Sequence, residues 1–221
     1  MFENSERTAR HKSFIRWGNS GQVETAETQF NSAEMIFTSS NKLRFSKEMV
    51  RLGIPCVEIN TGMPTSFPVV IRKVLSGCGG EGIEICHTKE EFISKHSGRA
   101  WSNWYNLSPE LGVHIFEGRI MKIFKKMRID DLPEEKFPIR NLSRGYKFSR
   151  VSVENYPKLV PAMADFAKKF PIKFGRVDIG WDSASKTYRI IEMNTAPGIA
   201  TNTDTLSSYV AELEAAFRRM R

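Results

Sequence analysis

Cysteine is scarce in this chain of 221 residues, and the three present, Cys56, Cys78 and Cys86, have no metal-ligand spacing and leave one thiol over in any disulfide scheme. Neither a zinc module nor a disulfide scaffold is encoded, and free thiols fit a reducing, cytoplasmic compartment. No run of about eighteen apolar residues exists, and the polar amino terminus lacks an apolar leader core, so neither a membrane span nor a secretory signal is read. Also missing are a Gly-Lys-Ser/Thr step opening a helix, a Rossmann glycine fingerprint, a Ser-His-Asp or Cys-His arrangement, an internal repeat and any low-complexity stretch. What is there is a globular composition, 40% hydrophobic, enough for a sizeable core in one or two lobes. Lysine and arginine number 33 against 25 aspartates and glutamates, a net charge of +8. That charge is compatible with nucleic acid. The cations are spread along the chain, however, with no recognition helix and no RNA-binding aromatic signature, and acidic small molecules attract the same charge.

The most informative stretch is Phe174-Gly175-Arg176-Val177-Asp178-Ile179-Gly180-Trp181, followed by Ile190-Ile191-Glu192-Met193-Asn194-Thr195-Ala196-Pro197-Gly198. Side chains alternate along a strand, so Arg176 and Asp178 share one face while Val177, Ile179 and Trp181 turn to a core. On the second run Ile190, Glu192 and Asn194 share a face, with Ile191 and Met193 opposite. The short, polar residues 182–187 between them predict an antiparallel hairpin that brings Asp178 close to Glu192 and Asn194. Two carboxylates and an amide oxygen with no His or Cys beside them are hard ligands of the kind Mg²⁺ or Mn²⁺ takes, and poor ones for zinc. Mg²⁺ usually completes its shell with substrate phosphates, so the patch implies a nucleotide, and Arg176 on the same face suits a phosphate or an acyl phosphate. On an ordinary surface hairpin an Asp and a Glu would be solvated or paired with lysines. Three ligand-type residues on one face of otherwise apolar strands favour the metal.

Upstream, Phe67-Pro68-Val69-Val70-Ile71-Arg72-Lys73-Val74 reads as a strand ending in two cations, followed by Ser76-Gly77-Cys78-Gly79-Gly80-Glu81-Gly82. Glycines such as Gly79, Gly80 and Gly82 let backbone amides approach phosphates closely, although a glycine-rich turn alone can equally be a plain flexible hairpin. The next residues, Ile83-Glu84-Ile85-Cys86, read as a second strand.

The residues RVDIG at 176–180 and IIEMNTAPG at 190–198 resemble the ATP-grasp superfamily of carboxylate ligases. The resemblance implies that Asp178, Glu192 and Asn194 bind the Mg²⁺ (or Mn²⁺) ions that bridge the phosphates of ATP. Strand, glycine loop and strand are similar to the family's phosphate lid, in which Arg72 takes the place of the nucleotide lysine, with Lys73 the competing candidate. The segment Pro138-Ile139-Arg140-Asn141-Leu142-Ser143-Arg144-Gly145 is similar to the R-x-N…G loop of the branch that includes the ribosomal-protein glutamate ligase. That similarity assigns phosphate and the acyl intermediate to Arg140 and Asn141. The family's other nucleotide lysine falls on Lys42, just after the N-cap Asn41 of a helix running to Leu52 and stopped by Gly53-Ile54-Pro55; a solvated helix lysine is the alternative. The adenine hinge falls at residues 101–105, with Trp104 beside the base or, equally, in a simple aromatic core. From Glu110 the chain is similar to the family strand E-x-R-V-H-V…G, but Gly112 stands where that pattern has Arg, which bears on substrate and nucleotide contacts. On the strand at 120–128 alternation puts Met121, Ile123, Lys125 and Met127 on one face, making Lys125 the inward phosphate contact. Lys122, Lys126 and Arg128 then form a solvated face, and His114 reads as structural.

The architecture this implies is α+β: an ATP-grasp fold of two α+β lobes clasping ATP, with a reduced amino-terminal region at 1–60, a lid lobe at 61–98 and a metal-binding lobe at 99–221. The resemblance covers residues 41–209. The short amino-terminal part is similar to compact ligases of tailed bacteriophages, whose setting would be a host cytoplasm. Thr88-Lys89-Glu90-Glu91 predicts a capping box, Leu159, Met163, Phe166 and Phe170 a core stripe, and Leu206, Val210, Leu213 and Phe217 another on the last helix. The expected reaction is ATP- and Mg²⁺-dependent joining of a carboxylate to an amine through an acyl phosphate, with Arg176, Arg140 and Asn141 as catalytic residues. In-line phosphoryl transfer asks for positioning and charge neutralisation rather than a protein nucleophile. Two other readings stand beside it: a small-molecule kinase on the same fold, and a basic binding protein without catalysis, for which Gly112 is the motive. Neither the acid, the amine nor the oligomeric state is encoded in these motifs.

Overall fold

The computed structural model describes residues 13–18, 20–21, 28–76, 82–129, 138–140, 144–198 and 203–219. Two antiparallel sheets dominate. The larger has five strands in the order β10-β9-β6-β7-β8: β6 (Leu107–Phe116), β7 (Arg119–Arg128), β8 (Tyr146–Val151), β9 (Phe174–Asp182) and β10 (Thr187–Asn194). The smaller has three, in the order β4-β3-β5: β3 (Val69–Arg72), β4 (Ile83–Cys86) and β5 (Ala100–Asn103). The sequence reading put residues 100–103 with the larger lobe, whereas β5 pairs with β3 along its whole length and so belongs to the lid sheet. A short parallel pair, β1 (Ser13–Ile15) and β2 (Thr28–Phe30), precedes them.

One face of the large sheet carries Leu111, Val113, Ile123, Val177, Ile179, Ile190 and Met193, all buried. It is covered by α4 (Leu159–Lys169), whose Leu159, Met163 and Phe166 are fully enclosed as their spacing predicts, and by Phe45 and Met49 of α2 (Lys42–Arg51). Helix α2 starts on the expected cap, with Asn41 Oδ1 accepting from Arg44 N at 3.1 Å, and stops before Gly53 at φ 63°. Helix α1 (Ala33–Ser39) precedes it on a Ser32 cap. The opposite face of the large sheet is shared by a cavity and by α5 (Thr203–Arg219). On α5 the core stripe differs from the expected one. Tyr209 and Ala216 are buried and Leu213 and Phe217 half-buried, while Leu206 and Val210 are 39% and 45% exposed. The helix is rotated because Tyr209 is its anchor: its ring packs against Phe174 and Trp17, and its hydroxyl lies 3.0 Å from His114 Nδ1 and donates to Gly175 O at 3.1 Å.

Residues 55–60 strap the two sheets together. Val57 N donates to Ile190 O of β10 at 2.8 Å, and Asn60 N to Trp101 O of β5 at 2.7 Å. Under the small sheet, Val69, Ile71, Cys86, Phe92 and Trp101 form a separate apolar cluster. The turn α3 (Lys89–Glu91) begins with Thr88 Oγ1 accepting from Glu91 N, the half of the capping box that forms as expected, while Glu91 Oε2 accepts from His87 N, one residue before the cap, instead of from Thr88 N. Cys56 and Cys86 are buried free thiols; Cys78 lies outside the described residues. Among the described residues no helix is long and apolar enough to cross a membrane.

His114 is 4% exposed and sits between the cations Arg176 and Lys122 on its neighbouring strands. Burial, then those two charges, lowers its pKa to about 4. The folded protein therefore keeps a neutral imidazole where the unfolded chain takes up a proton near pH 6.5, so acid favours unfolding. Relative to a His114→Gln variant, stability should be level above pH about 6.5 and fall by roughly 3 kcal/mol by pH about 4, as followed by urea titrations. Parallel pH profiles of the two proteins would remove the charge argument.

Candidate active site

A cavity of about 280 Å³ opens between the two sheets. Val70, Arg72, Ile83, Ile85 and Ser102 line it from the lid sheet, and Leu107, Glu110, Lys126, Phe148, Arg176, Asp178, Ile191 and Glu192 from the large sheet. Lys42 enters from the first turn of α2, Trp104 and Tyr105 from the link between the sheets, and Arg140 from the segment after β7. The chemistry is divided: an apolar slot of valine, isoleucine and aromatic side chains at the lid, and charge on the floor.

The floor follows from strand register. The β9–β10 hairpin forms as expected, with Asp178 opposite Glu192 and Arg176 opposite Asn194. A bulge between Ile190 and Glu192 breaks the alternation, however. The sequence reading put Ile190 on the face of Glu192 and Ile191 on the core face. Ile190 instead lies opposite Ile179 in the core, 3% exposed, and Ile191 joins Glu192 in the cavity. One extra residue in a strand shifts everything beyond it to the other face.

Every carboxylate on the floor faces a cation. Lys42 Nζ is 3.0 Å from Glu192 Oε2. Arg176 Nη2 donates to Asp178 Oδ2 at 3.2 Å, and its Nε lies 2.9 Å from Asp178 Oδ1 without the alignment of a hydrogen bond. Lys126 Nζ and Arg140 Nη1 reach the two oxygens of Glu110 at 3.0 and 2.9 Å, and Arg140 also donates to Leu107 O at 2.7 Å. Burial pushes the Asp178 carboxyl above its usual range, against the pull of Arg176 and Lys126. For Lys126 burial opposes the charge, but Glu110, Asp178 and Glu192 outweigh it and hold its pKa above the ordinary lysine value. Arg72 is enclosed in the wall, its pKa lowered by burial, with Nε lacking a partner; Ser102 Oγ is equally buried and unpartnered. Buried polar atoms without partners are rare in folded proteins and here face one cavity, which marks it as built for a polar ligand.

Lys42, Arg72, Trp104, Arg140, Arg176, Asp178 and Glu192 thus meet around one space. Lys73 does not: it pairs with Glu84 at 2.5 Å on the exposed side of the lid. Lys125 is a correction. The face of Lys122, Phe124 and Lys126 looks into the molecule, with Lys126 at the cavity and Lys122 paired to Asp204, while Lys125 shares the opposite face with Ile123 and lies outside the cavity. Both faces of β7 are covered, so alternation alone could not tell inside from outside. Asn194 stands beside Arg176 in the register, but its Oδ1 accepts from Ala196 N at 3.0 Å and it is not in the cavity wall. Gly82, at φ 68°, closes the lid turn against Lys73 and Val74. Gly79, Gly80 and Asn141 lie outside the described residues. Sequence reasoning missed Glu110 and Lys126, although Glu110 precedes Gly112 by two positions and so shares its face. Above Gly112 the space is filled: a Cβ there would lie 3.2 Å from Arg176 Cδ and 3.4 Å from Asp178 Oδ1.

Among the described residues no three His, Cys, Asp or Glu side chains gather as a metal cluster. Asp178 and Glu192 supply a two-carboxylate, all-oxygen set suited to a hard cation, and the buried Asp178 Oδ1 accepts no hydrogen bond, having the misaligned Arg176 Nε beside it.

No protein-family model matches the sequence, and no curated protein matches it. Solved structures do. VanG D-Ala:D-Ser ligase from Enterococcus faecalis superposes with a TM-score of 0.64 at 16% identity, over 90% of this chain and 71% of that one. D-alanine–D-alanine ligase from Bacillus anthracis gives 0.62 at 16% identity, over 85% and 70%, and has also been solved complexed with ATP. The ATP-grasp ligase PsnB complexed with its minimal precursor gives 0.55 at 12% identity, over 81% of this chain and 58% of that one. The chain has the α+β ATP-grasp fold.

Proposed function

We propose that this protein is an ATP- and divalent-metal-dependent ligase that joins a carboxylate to an amine through an acyl phosphate. The observation that carries the reading is the convergence of five cations, Lys42, Arg72, Lys126, Arg140 and Arg176, with the facing carboxylates Asp178 and Glu192 on one cavity that also holds an apolar slot. Such a floor suits a triphosphate and such a slot a base. The structural neighbours are ligases, one solved with ATP and PsnB also with Mg and ADP, which supports the same chemistry.

A divalent cation held by Asp178 and Glu192 would neutralise phosphate charge during transfer. The chain's own residues do the rest. Val57, Val70, Ile85, Trp104 and Tyr105 exclude water around the base. Arg72, fixed in the wall, and Lys126 present positive charge to the phosphates. Arg176 lies where charge develops on the transferring phosphoryl group, its guanidinium 4.9 Å above the Phe148 ring. Arg140, tied to Glu110 and the Leu107 carbonyl, presents its guanidinium at the cavity wall, where it would meet the acyl intermediate.

ADP release should depend on supplying both a carboxylate and an amine, in a screen against pools of amino acids, polyamines and peptides with Mg²⁺ and product masses recorded. Phosphate transfer with no amine requirement would make the protein a kinase instead. An interaction made mainly in the transition state lowers rate without lowering ground-state affinity, and a point ammonium cannot replace a planar fork. Arg176→Lys should therefore cut turnover by about a hundredfold while changing nucleotide affinity less than about threefold. Equal loss of affinity and rate would place Arg176 in the resting nucleotide cradle.

A further inference from the structure

Gly112 stands inside β6, directly opposite Asp178 on β9. Glycine weakens a strand interior, so its presence there calls for a reason. The backbone supplies none, because Gly112 is not among the glycines at positive φ. The reason is space. A Cβ at this position would lie 3.2 Å from Arg176 Cδ, 3.3 Å from Phe148 Cε1 and 3.4 Å from Asp178 Oδ1. Arg176 itself starts opposite His114, two residues along β6, so its stem leans over Gly112 to bring the guanidinium onto Asp178 and against the Phe148 ring. Neither neighbour retreats freely. The Arg176 and Asp178 side chains are only 20% and 6% exposed, and Phe148 is in contact with both Arg176 and Lys126.

We infer that Gly112 is a positioning residue for Arg176: the missing side chain is the seat of the arginine stem and fixes where the guanidinium meets the transferring phosphoryl group. This rests on the ligase reading of the cavity and deepens it. It also reverses the meaning of the departure from the resembled strand pattern. An arginine at 112 would have to occupy room that Arg176 already fills, so the glycine is a condition of this site and not a mark of lost catalysis.

Gly112→Ala places one methyl group between Arg176 and Phe148. Turnover in amine-dependent ADP release should fall about tenfold or more, because a slightly misplaced group that acts in the transition state is costly, while affinity for an ATP analogue with Mg²⁺ changes less than about twofold. Phe148→Leu opens room for the displaced stem, so the double variant should lose less turnover than the product of the two single losses. Unchanged turnover in Gly112→Ala, an affinity loss as large as its rate loss, or single losses that simply multiply would each overturn the inference. The seat can also be read without turnover. Arg176 Nε is enclosed, so its N–H should give a slowly exchanging magnetic resonance signal, identified by its absence in Arg176→Lys, and Gly112→Ala should shift that signal and speed its exchange. An unaltered signal with unaltered exchange overturns the seat. If the unaltered protein shows no amine-dependent ADP release, the ligase reading falls, and this signal still decides whether Gly112 seats Arg176.

Discussion

Asp178→Asn and Glu192→Gln should each weaken binding of an ATP analogue in the presence of Mg²⁺ by at least tenfold and lower turnover by about a thousandfold, the size of losing one fixed electrostatic contact to a transition state. The expectation rests on register: the two carboxylates stand opposite each other on β9 and β10, where a single hard cation can be shared between them. Asp178 should be the more severe, because its carboxylate is 4% exposed and also neutralises the half-buried Arg176 and Lys126. Its amide would leave both cations with less compensation than in the parent. Calorimetry with and without chelator, beside an ADP-release assay, reads the effect. Full metal-dependent affinity in both variants would take the hairpin out of the binding site.

Gly175→Ala should be the most destabilising small substitution in the same hairpin, by roughly 4 kcal/mol, from backbone strain added to overpacking. Gly175 has φ 151°, a conformation that side chains rarely adopt, and a Cβ there would collide with the Met193 methyl and stand 2.7 Å from the Asn194 carbonyl oxygen. Neither the strand pairing nor the core can yield cheaply, since Met193 is packed among buried residues. Urea unfolding of the variant tests this. A change under about 1 kcal/mol would mean the β9–β10 pairing relaxes far more easily than its packing implies. By contrast, Gly53, also at positive φ, has open space around its Cβ position, so its Ala variant should show only the conformational penalty.

Where local pattern and three-dimensional environment agree, sequence was enough. Asp178, Glu192 and Arg176 could be placed together because alternation and a short polar turn define a hairpin without help from the rest of the chain. Asn41 and Thr88 cap their helices for equally local reasons. What escaped depended on contacts distant in sequence. Lys126 and Glu110 hold each other across neighbouring strands, and whether their face or that of Lys125 looks inward is settled by α4 and α5, which lie far along the chain. Leu206 and Val210 look like core on a helical wheel, but the Tyr209 hydroxyl, bonded to Gly175 and beside His114, sets the rotation. Arg72 and Lys73 are adjacent cations with similar credentials. Only the lid sheet, which turns one into the cavity and the other toward Glu84, separates them.

The bulge at Ile191 gives the hairpin an odd count, and that parity has a practical meaning for anyone transplanting or redesigning it. Deleting Ile191 would restore a regular strand in which Glu192 follows Ile190 directly, so the two must point to opposite faces; with Ile190 in the core, Glu192 keeps its place in the cavity. The deletion would therefore strip the slot of one apolar wall while sparing the carboxylate. Substituting a polar residue at 191 would keep the spacing and alter only what the slot accepts. Shape of the pocket and charge of the floor are thus encoded at neighbouring positions that can be edited independently.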